Sequence, residues 1–350
     1  MKTFRDFMES ALYSRSGFYP RRKSGEDFYT SPELSPAFSR ILTKEIVSRL
    51  DSVSKAMPRS PLFIVEMGSG DGALARQILH SIRISRPDLH ARLRYALVER
   101  VESLLLESVA SLGEEGRVLG YSRLADLLPV CGVFLSNELV DAFPVHVLEK
   151  SGGRVGEIHV VEEAGGGLGA RLGAPSAPEL AREAEAAAEF LPEGGRHAVS
   201  LDAIRWIREA ASKLRAGALI TIDYGHRGGG PNPPRSYRRH AIGSDLLASP
   251  GEQDLTASVD FDALIEAGRV AGLVDVHYST LGRFLLDRGV LDLIPRGSSA
   301  EEYSERNRVK TLFHPDGMGE SFKVLIQEKA HARAESADEG PLAPSPWWRQ

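Results

Sequence analysis

The chain is nearly devoid of cysteine. Cys131 stands alone among 350 residues, so no disulfide can form within the chain and no cysteine cluster can hold zinc. A thiol nucleophile is conceivable. Cys131 opens an apolar, strand-like run, however, and a free cysteine in that setting is normally a buried packing residue. No apolar run is long enough to span a bilayer, and residues 1–10 lack the apolar core of a signal peptide, so cytoplasm is the expected location. No internal repeat is visible. There is no charge excess either: 43 Lys and Arg against 48 Asp and Glu leave a net charge of −5. That balance removes any global electrostatic pull toward nucleic acid or anionic membrane. Neither nucleic acid nor membrane insertion is therefore expected, and whether two copies pair as a homodimer is left open. What the chain does have is length and apolar content. Its hydrophobic share of 42% can fill a substantial core, and its length suits a large α/β core with additions.

The hydrophobic pattern alternates between two periods. Short buried strands are expected at 62–68, 94–99, 117–121, within 130–143, and at 218–225, 274–280 and 321–329. Helical spacing recurs at 73–82, 101–110, 202–215 and 261–273. A further helix is expected from Pro36 to about Leu50, with Ser35 as its N-cap and Pro36 at the first helical position. Strands alternating with helices predict a doubly wound, mostly parallel α/β sheet covered on both faces. Residues 145–200 break the rhythm with a hairpin-like pair and an Ala/Glu-rich helix at 178–190. They read as an insertion at the sheet's carboxyl edge. From about Ala330 the chain turns polar and rich in Pro and Ser, the composition of a disordered tail.

The strongest local signal is Glu66-Met67-Gly68-Ser69-Gly70-Asp71-Gly72-Ala73, placed where a buried strand becomes a helix. Glycines at 68 and 70 let the backbone turn sharply and approach a ligand, and the helix start offers unpaired N–H groups. Gly68-x-Gly70-x-x-Ala73 also fits the dinucleotide pattern. Three features favour S-adenosylmethionine instead. Glu66, just before the loop, would repel a pyrophosphate but suits a sulfonium and an ammonium. Gly72 supplies a third glycine. Glu99 closes the next strand about thirty residues on, where a carboxylate can accept from both ribose hydroxyls, whereas a dinucleotide fold places its acid nearer twenty residues on.

Further segments occur in a fixed order: Gly17-Phe18-Tyr19, Asp27-Phe28-Tyr29-Thr30-Ser31-Pro32-Glu33, Ser136-Asn137-Glu138-Leu139-Val140-Asp141-Ala142-Phe143-Pro144, Asp223-Tyr224-Gly225-His226, Asp254-Leu255-Thr256, Phe284-Leu285 and Gly319-Glu320-Ser321-Phe322. Together with the glycine loop they resemble the MidA-like family of S-adenosylmethionine-dependent methyltransferases, from about residue 5 to 328. The resemblance implies a Rossmann-like methyltransferase core at 61–144 and 201–329, an N-terminal helical cap at 1–60 and an inserted substrate lobe at 145–200, with 330–350 as the tail. It also implies methyl transfer to a protein arginine, as in the mitochondrial members that assemble a respiratory complex. Three departures stand out. Glu26 precedes Asp27-Phe28 where the family usually has Gly, Ser69 stands where its loop tends to carry Pro, and a Gln that the family often has before the Phe-Leu pair is absent around Leu281-Gly282-Arg283.

Candidate roles follow. Glu66, Gly68, Gly70, Gly72 and Glu99 are expected to hold the cofactor, with Asn137 at its amino-acid end. Thr30 and Ser31 belong to a polar turn expected to fold over it. Glu138 and Asp141, just after the fourth strand, are candidates to orient or polarise the acceptor, since carboxylates bind a guanidinium fork bidentately. Asp223 could line the acceptor pocket, and His226 could take a proton near neutral pH. Two other readings compete: an NAD-dependent oxidoreductase that uses the same loop, and a non-catalytic assembly protein that keeps the cofactor fold as a scaffold.

Overall fold

Residues 62–67 are apolar on both faces except at Glu66, the pattern of a strand covered from two sides. In the computed structural model they form β1 (Leu62–Met67), every residue of it buried. Residues 1–21, 31–113, 117–238, 241–243 and 245–329 are described below; the expected tail at 330–350 lies outside them. The other strands of the core sheet are β2 (Leu93–Val98), β3 (Val118–Tyr121), β4 (Val130–Asn137), β5 (Leu214–His226), β6 (Val274–Thr280) and β7 (Phe322–Lys329). Their order is β3-β2-β1-β4-β5-β7-β6. The strands from β3 to β5 are parallel neighbours, while β7 runs antiparallel to both β5 and β6. All seven expected strands are present. A dinucleotide-binding sheet runs 3-2-1-4-5-6 with no such insertion, so β7 counts against the nicotinamide alternative. The order reverses between β1 and β4, where open α/β sheets bind ligands beyond the strand carboxyl ends.

The chain forms two compact units. The core unit, Tyr29–Leu139, Ile207–Gly225 and Ala263–Gln350, holds this sheet. Helix α1 (Pro36–Ala56) begins as its sequence predicts: Ser35 Oγ accepts from the Ala37 N–H at 3.1 Å and Pro36 takes the first turn. With α2 (Ala73–Ser85) it buries Phe38, Ile41, Ile46, Ile78 and Ile82 among Ile64, Val133 and Ile220. Each such side chain contributes about 1.5–3 kcal/mol by leaving water. Helix α3 (Glu102–Leu112) lies between β2 and β3 in the chain. At the sheet's centre the backbones approach closely. A Cβ on Gly132 would stand 1.9 Å from the Phe63 carbonyl oxygen, and one on Gly217 would stand 1.8 Å from that of Gly132.

The other unit comprises Met1–Phe28, Val140–Trp206 and His226–Asp262. Its main sheet places Lys2–Thr3, Arg154–Glu162, His146–Ser151 and Arg196–Val199 side by side in that order, with Leu168–Gly173 also paired to Arg154–Glu162. Successive residues of a strand face opposite sides. Accordingly Val147 packs with Phe4, Phe7 and Leu12 of the helix Phe4–Tyr13, while Leu148 packs with Leu180 and Ala184 of the helix Pro178–Phe190. The expected hairpin and the Ala/Glu-rich helix are therefore present, within different unit boundaries from those expected. Residues 2–3 pair with 159–160, which joins the chain start to the 145–200 stretch. The expected 1–60 cap divides between the units, because α1 is part of the sheet's own core. No helix of the described residues is long and apolar enough to cross a membrane.

Candidate active site

The loop after β1 is built from left-handed backbone. Gly68, Gly70 and Gly72 have φ of 73°, 51° and 77°, values that cost a side-chain-bearing residue roughly 1–2 kcal/mol. The Gly68 N–H donates to the Val98 carbonyl at 2.8 Å and the Gly72 N–H to that of Ser69 at 2.9 Å. Two of these glycines are also needed for space: a Cβ would come within 2.8 Å of Leu139 Cδ1 at Gly68 and 2.9 Å of Ser108 Cβ at Gly72. At Gly70 it would meet nothing within 4 Å, so this glycine faces an open cradle.

Three carboxylates surround the loop. Asp71 Oδ1 accepts from the Ala73 N–H at 3.0 Å and so caps the start of α2. Glu99 is buried; Oε2 accepts from the Gly70 N–H at 3.1 Å and Oε1 from the Val101 N–H at 2.9 Å. Burial pushes the Glu99 carboxyl above its ordinary value, against the pull of those backbone donors. Glu66 is buried too, and the Tyr95 hydroxyl donates to its Oε2. Burial, with repulsion from Asp71 and Glu99, pushes Glu66 up to about 8, although the Tyr95 hydrogen bond acts the other way. Tyr95 escaped the sequence reading. The available signal was a phenol inside an otherwise apolar strand, whose hydroxyl must find a buried partner.

A second cluster forms where β4 ends. Glu138 has φ 52°, uncommon for a residue with a long side chain. Its N–H donates to the Ile222 carbonyl at 2.9 Å. Its Oε1 receives three donors: the Ser31 N–H at 2.8 Å, the Ser31 Oγ–H at 3.0 Å and Asn137 Nδ2 at 3.0 Å. Ser31, expected on the cofactor, directs its N–H and its Oγ–H to Glu138, and the same Oγ lies 3.8 Å from Met318 Sδ. Thr30 lies outside the described residues. Asp223 is fully buried; Oδ2 accepts from the Leu139 N–H at 3.2 Å and Oδ1 from the Tyr224 N–H at 2.9 Å. The carboxylate, expected to line an acceptor pocket, ties the turn after β4 to the end of β5.

Within the core unit, then, Glu66, the three glycines and Glu99 gather around one loop. Ser31, Asn137, Glu138 and Asp223 gather around the adjoining turn. Leu139 links the two by packing over Gly68. Asp141 and His226 belong to the other unit. Asp141 is buried in the short turn Val140–Ala142, its carbonyl accepting from the Ala257 N–H at 3.0 Å. His226 is half-buried at the end of β5.

The core residues fit S-adenosylmethionine on three counts. Gly70 offers an open cradle. Glu99 has acceptor capacity beyond its backbone donors, since a carboxylate has about four lone-pair sites. The buried Ser69 Oγ and Asn137 Oδ1 have no hydrogen-bond partner among the described residues, and such groups call for one.

Comparison with known proteins agrees. Residues 41–280 match the model of a family described as "Putative S-adenosyl-L-methionine-dependent methyltransferase". The mitochondrial protein arginine methyltransferase NDUFAF7 of Mus musculus is 29% identical, over 94% of this chain and 82% of its own length. The Homo sapiens protein of the same name is 28% identical, over 92% and 79%. A crystal structure from Burkholderia thailandensis, bound to S-adenosyl-homocysteine, is 28% identical with a TM-score of 0.79, covering 93% of this chain and 87% of that one.

Proposed function

We propose that this chain, which belongs to that family of S-adenosyl-L-methionine-dependent methyltransferases, transfers its methyl group to an arginine side chain of a protein. The names of the relatives support this acceptor. The observation that carries it is Glu138, a carboxylate held by three donors on one oxygen, on backbone that is strained for such a residue, beside the cofactor loop. Strain of this kind costs about 1–3 kcal/mol and persists where the surroundings over-determine it, often at functional sites.

When bound, the cofactor supplies an electrophilic methyl on a positive sulfonium, so placement of the nucleophile does much of the catalytic work. Glu138 orients the acceptor. A carboxylate attracts a guanidinium and accepts charge-assisted N–H···O bonds from it, which fix its position. Ser31 and Asn137 keep the Glu138 carboxylate from rotating, and Asp223 holds the turn through the Leu139 N–H. Glu99 is assigned to the ribose hydroxyls, Glu66 to the cationic end of the donor and Asn137 to its amino-acid end.

The direct test incubates the purified protein and methyl-labelled donor with a cell extract, then maps the label by mass spectrometry. Label on arginine supports the reading; label confined to lysine, histidine, carboxylates or small molecules overturns it. Glu138→Gln is expected to lower methyl transfer by roughly 100-fold, within the range for losing a positioned catalytic group, while S-adenosylhomocysteine affinity stays within about threefold. Full transfer by that variant would remove Glu138 from the chemistry.

A further inference from the structure

The pair Tyr95–Glu66 does more than pack. An ionised carboxylate in a buried setting normally pairs with a cation or collects several donors. Among the hydrogen bonds of the described residues, the Tyr95 hydroxyl is the donor to Glu66, and no cation accompanies it. The titratable groups that face Glu66 are Tyr95 from the neighbouring strand, Asp71 from the loop and Glu99 from the end of β2, and no positive charge is among them. Two of these three are acids that oppose a further negative charge. The arrangement is a buried acid among acids, with no cation of the described residues beside it.

We infer that Tyr95 and Glu66 form a proton-linked receptor for the cofactor: Glu66 is held as the neutral acid until the positively charged donor enters, and then gives its proton to solvent. The inference rests on the donor half of the function proposed above and is independent of the acceptor. The proton balance is simple. Glu66 passes from carboxylic acid to carboxylate, one proton goes to the buffer, and the new negative charge faces the cation. Tyr95 keeps its own proton, because burial and the neighbouring acid push its ionisation far above the ordinary range. Tyr95 is therefore a positioning residue: its hydroxyl occupies Oε2 and donates to the acid in either state.

The linkage discriminates between donor and product. S-adenosylmethionine carries a sulfonium charge, whereas S-adenosylhomocysteine has a neutral sulfur and is zwitterionic overall. Loss of the sulfonium charge on methyl transfer removes part of what kept Glu66 ionised. Product is then held less tightly than donor, and the difference grows as the pH rises.

Titration calorimetry of the full chain with S-adenosylmethionine, in two buffers of different ionisation enthalpy between pH 6 and 9, tests this. The expected result is release of close to one proton at pH 6–7, with affinity rising up to about tenfold per pH unit and levelling above about pH 8. S-adenosylhomocysteine should show a shallower slope. Glu66→Gln should bind with no proton release and flat pH dependence. Tyr95→Phe keeps the ring but removes the stabilising donor, so its plateau should move to higher pH; a purely structural loss would instead weaken binding equally at every pH. Wild-type binding of S-adenosylmethionine with no proton release and no pH slope would overturn the inference while leaving the donor assignment standing. Failure to bind at any pH would overturn both.

Discussion

At Ser31 a single side chain changes the meaning of a motif. Its N–H and Oγ–H both donate to Glu138 Oε1, so at this residue the polar turn expected over the cofactor clamps the Glu138 carboxylate. Ser31→Ala keeps the backbone donor and removes the hydroxyl. A hydrogen bond to a charged group contributes about 1.5–3 kcal/mol, so methyl transfer should fall on the order of tenfold or more. S-adenosylhomocysteine affinity should not change, and Ser31→Thr should recover part of the loss. Equal losses in transfer and in cofactor affinity would return Ser31 to the cofactor. The glycines and carboxylates of the loop were legible in the sequence because chemistry dictates their residue types. The Ser31–Glu138 contact was not, because it joins residues 107 positions apart, and neither was the φ of 52° at Glu138, for which residue type gives no cue. The two backbone N–H groups that Asp223 satisfies, those of Leu139 and Tyr224, were equally hidden.

Among the elements, the buried strands were readable because continuous apolar runs bounded by turns leave few alternatives. The helix Ala300–Phe313 was missed for the opposite reason. Only Val309 and Leu312 of it are buried, so it carries no apolar stripe. Its one cue was the capping box formed by Ser299 and Glu302. The short strand Lys2–Thr3 has no period at all and exists through its pairing with residues 159–160. The close approach at the centre of the sheet was equally hidden, and it gives a sharp prediction. Gly132→Ala would place a methyl 1.9 Å from a backbone oxygen, and a backbone neighbour cannot yield as a side chain can. A loss of about 3 kcal/mol or more is expected by denaturant titration. Gly113→Ala is the control: it ends α3 at φ 62° with open space around it and should cost only about 1 kcal/mol. Similar losses for the two would show that backbone angle, not space, governs both.

For the molecule as a whole, the buried acids set the pH dependence of stability in the absence of cofactor. Glu66 is pushed up to about 8 from an ordinary 4.5 by burial, and Glu99 moves in the same direction. Between those two values the folded state holds a proton that the unfolded chain has lost. Stability from Glu66 is therefore full below pH 4.5 and falls as pH rises toward 8, by up to about 1.4 kcal/mol per unit. Glu45 and Glu157 act in the opposite sense. Burial raises each, but hydrogen bonds from Arg288 and Arg49 to Glu45, and from His146 and Ser176 to Glu157, outweigh it and hold both below the usual range. Their contribution is present above the ordinary carboxylate range and is lost as pH falls through it. Thermal melts should therefore peak on the acid side of neutrality, at about pH 5–6, and Glu66→Gln should flatten the decline between pH 6 and 8. A wild-type maximum at pH 8 or above would contradict the assignment of Glu66 as a neutral acid.

The antiparallel strand Phe322–Lys329 is made last but sits between two partners that are made earlier, Leu214–His226 and Val274–Thr280. A ribosome delivers both flanking strands well before the one that bridges them. During that interval the nascent sheet has an unfilled slot, with exposed backbone donors and acceptors on each side, and such edges invite pairing with other chains. Translation arrested before residue 322 should thus yield a product that stays sensitive to protease and depends on chaperones, and extension through residue 329 should abolish both properties together. Protection acquired earlier would mean that the slot closes without its strand.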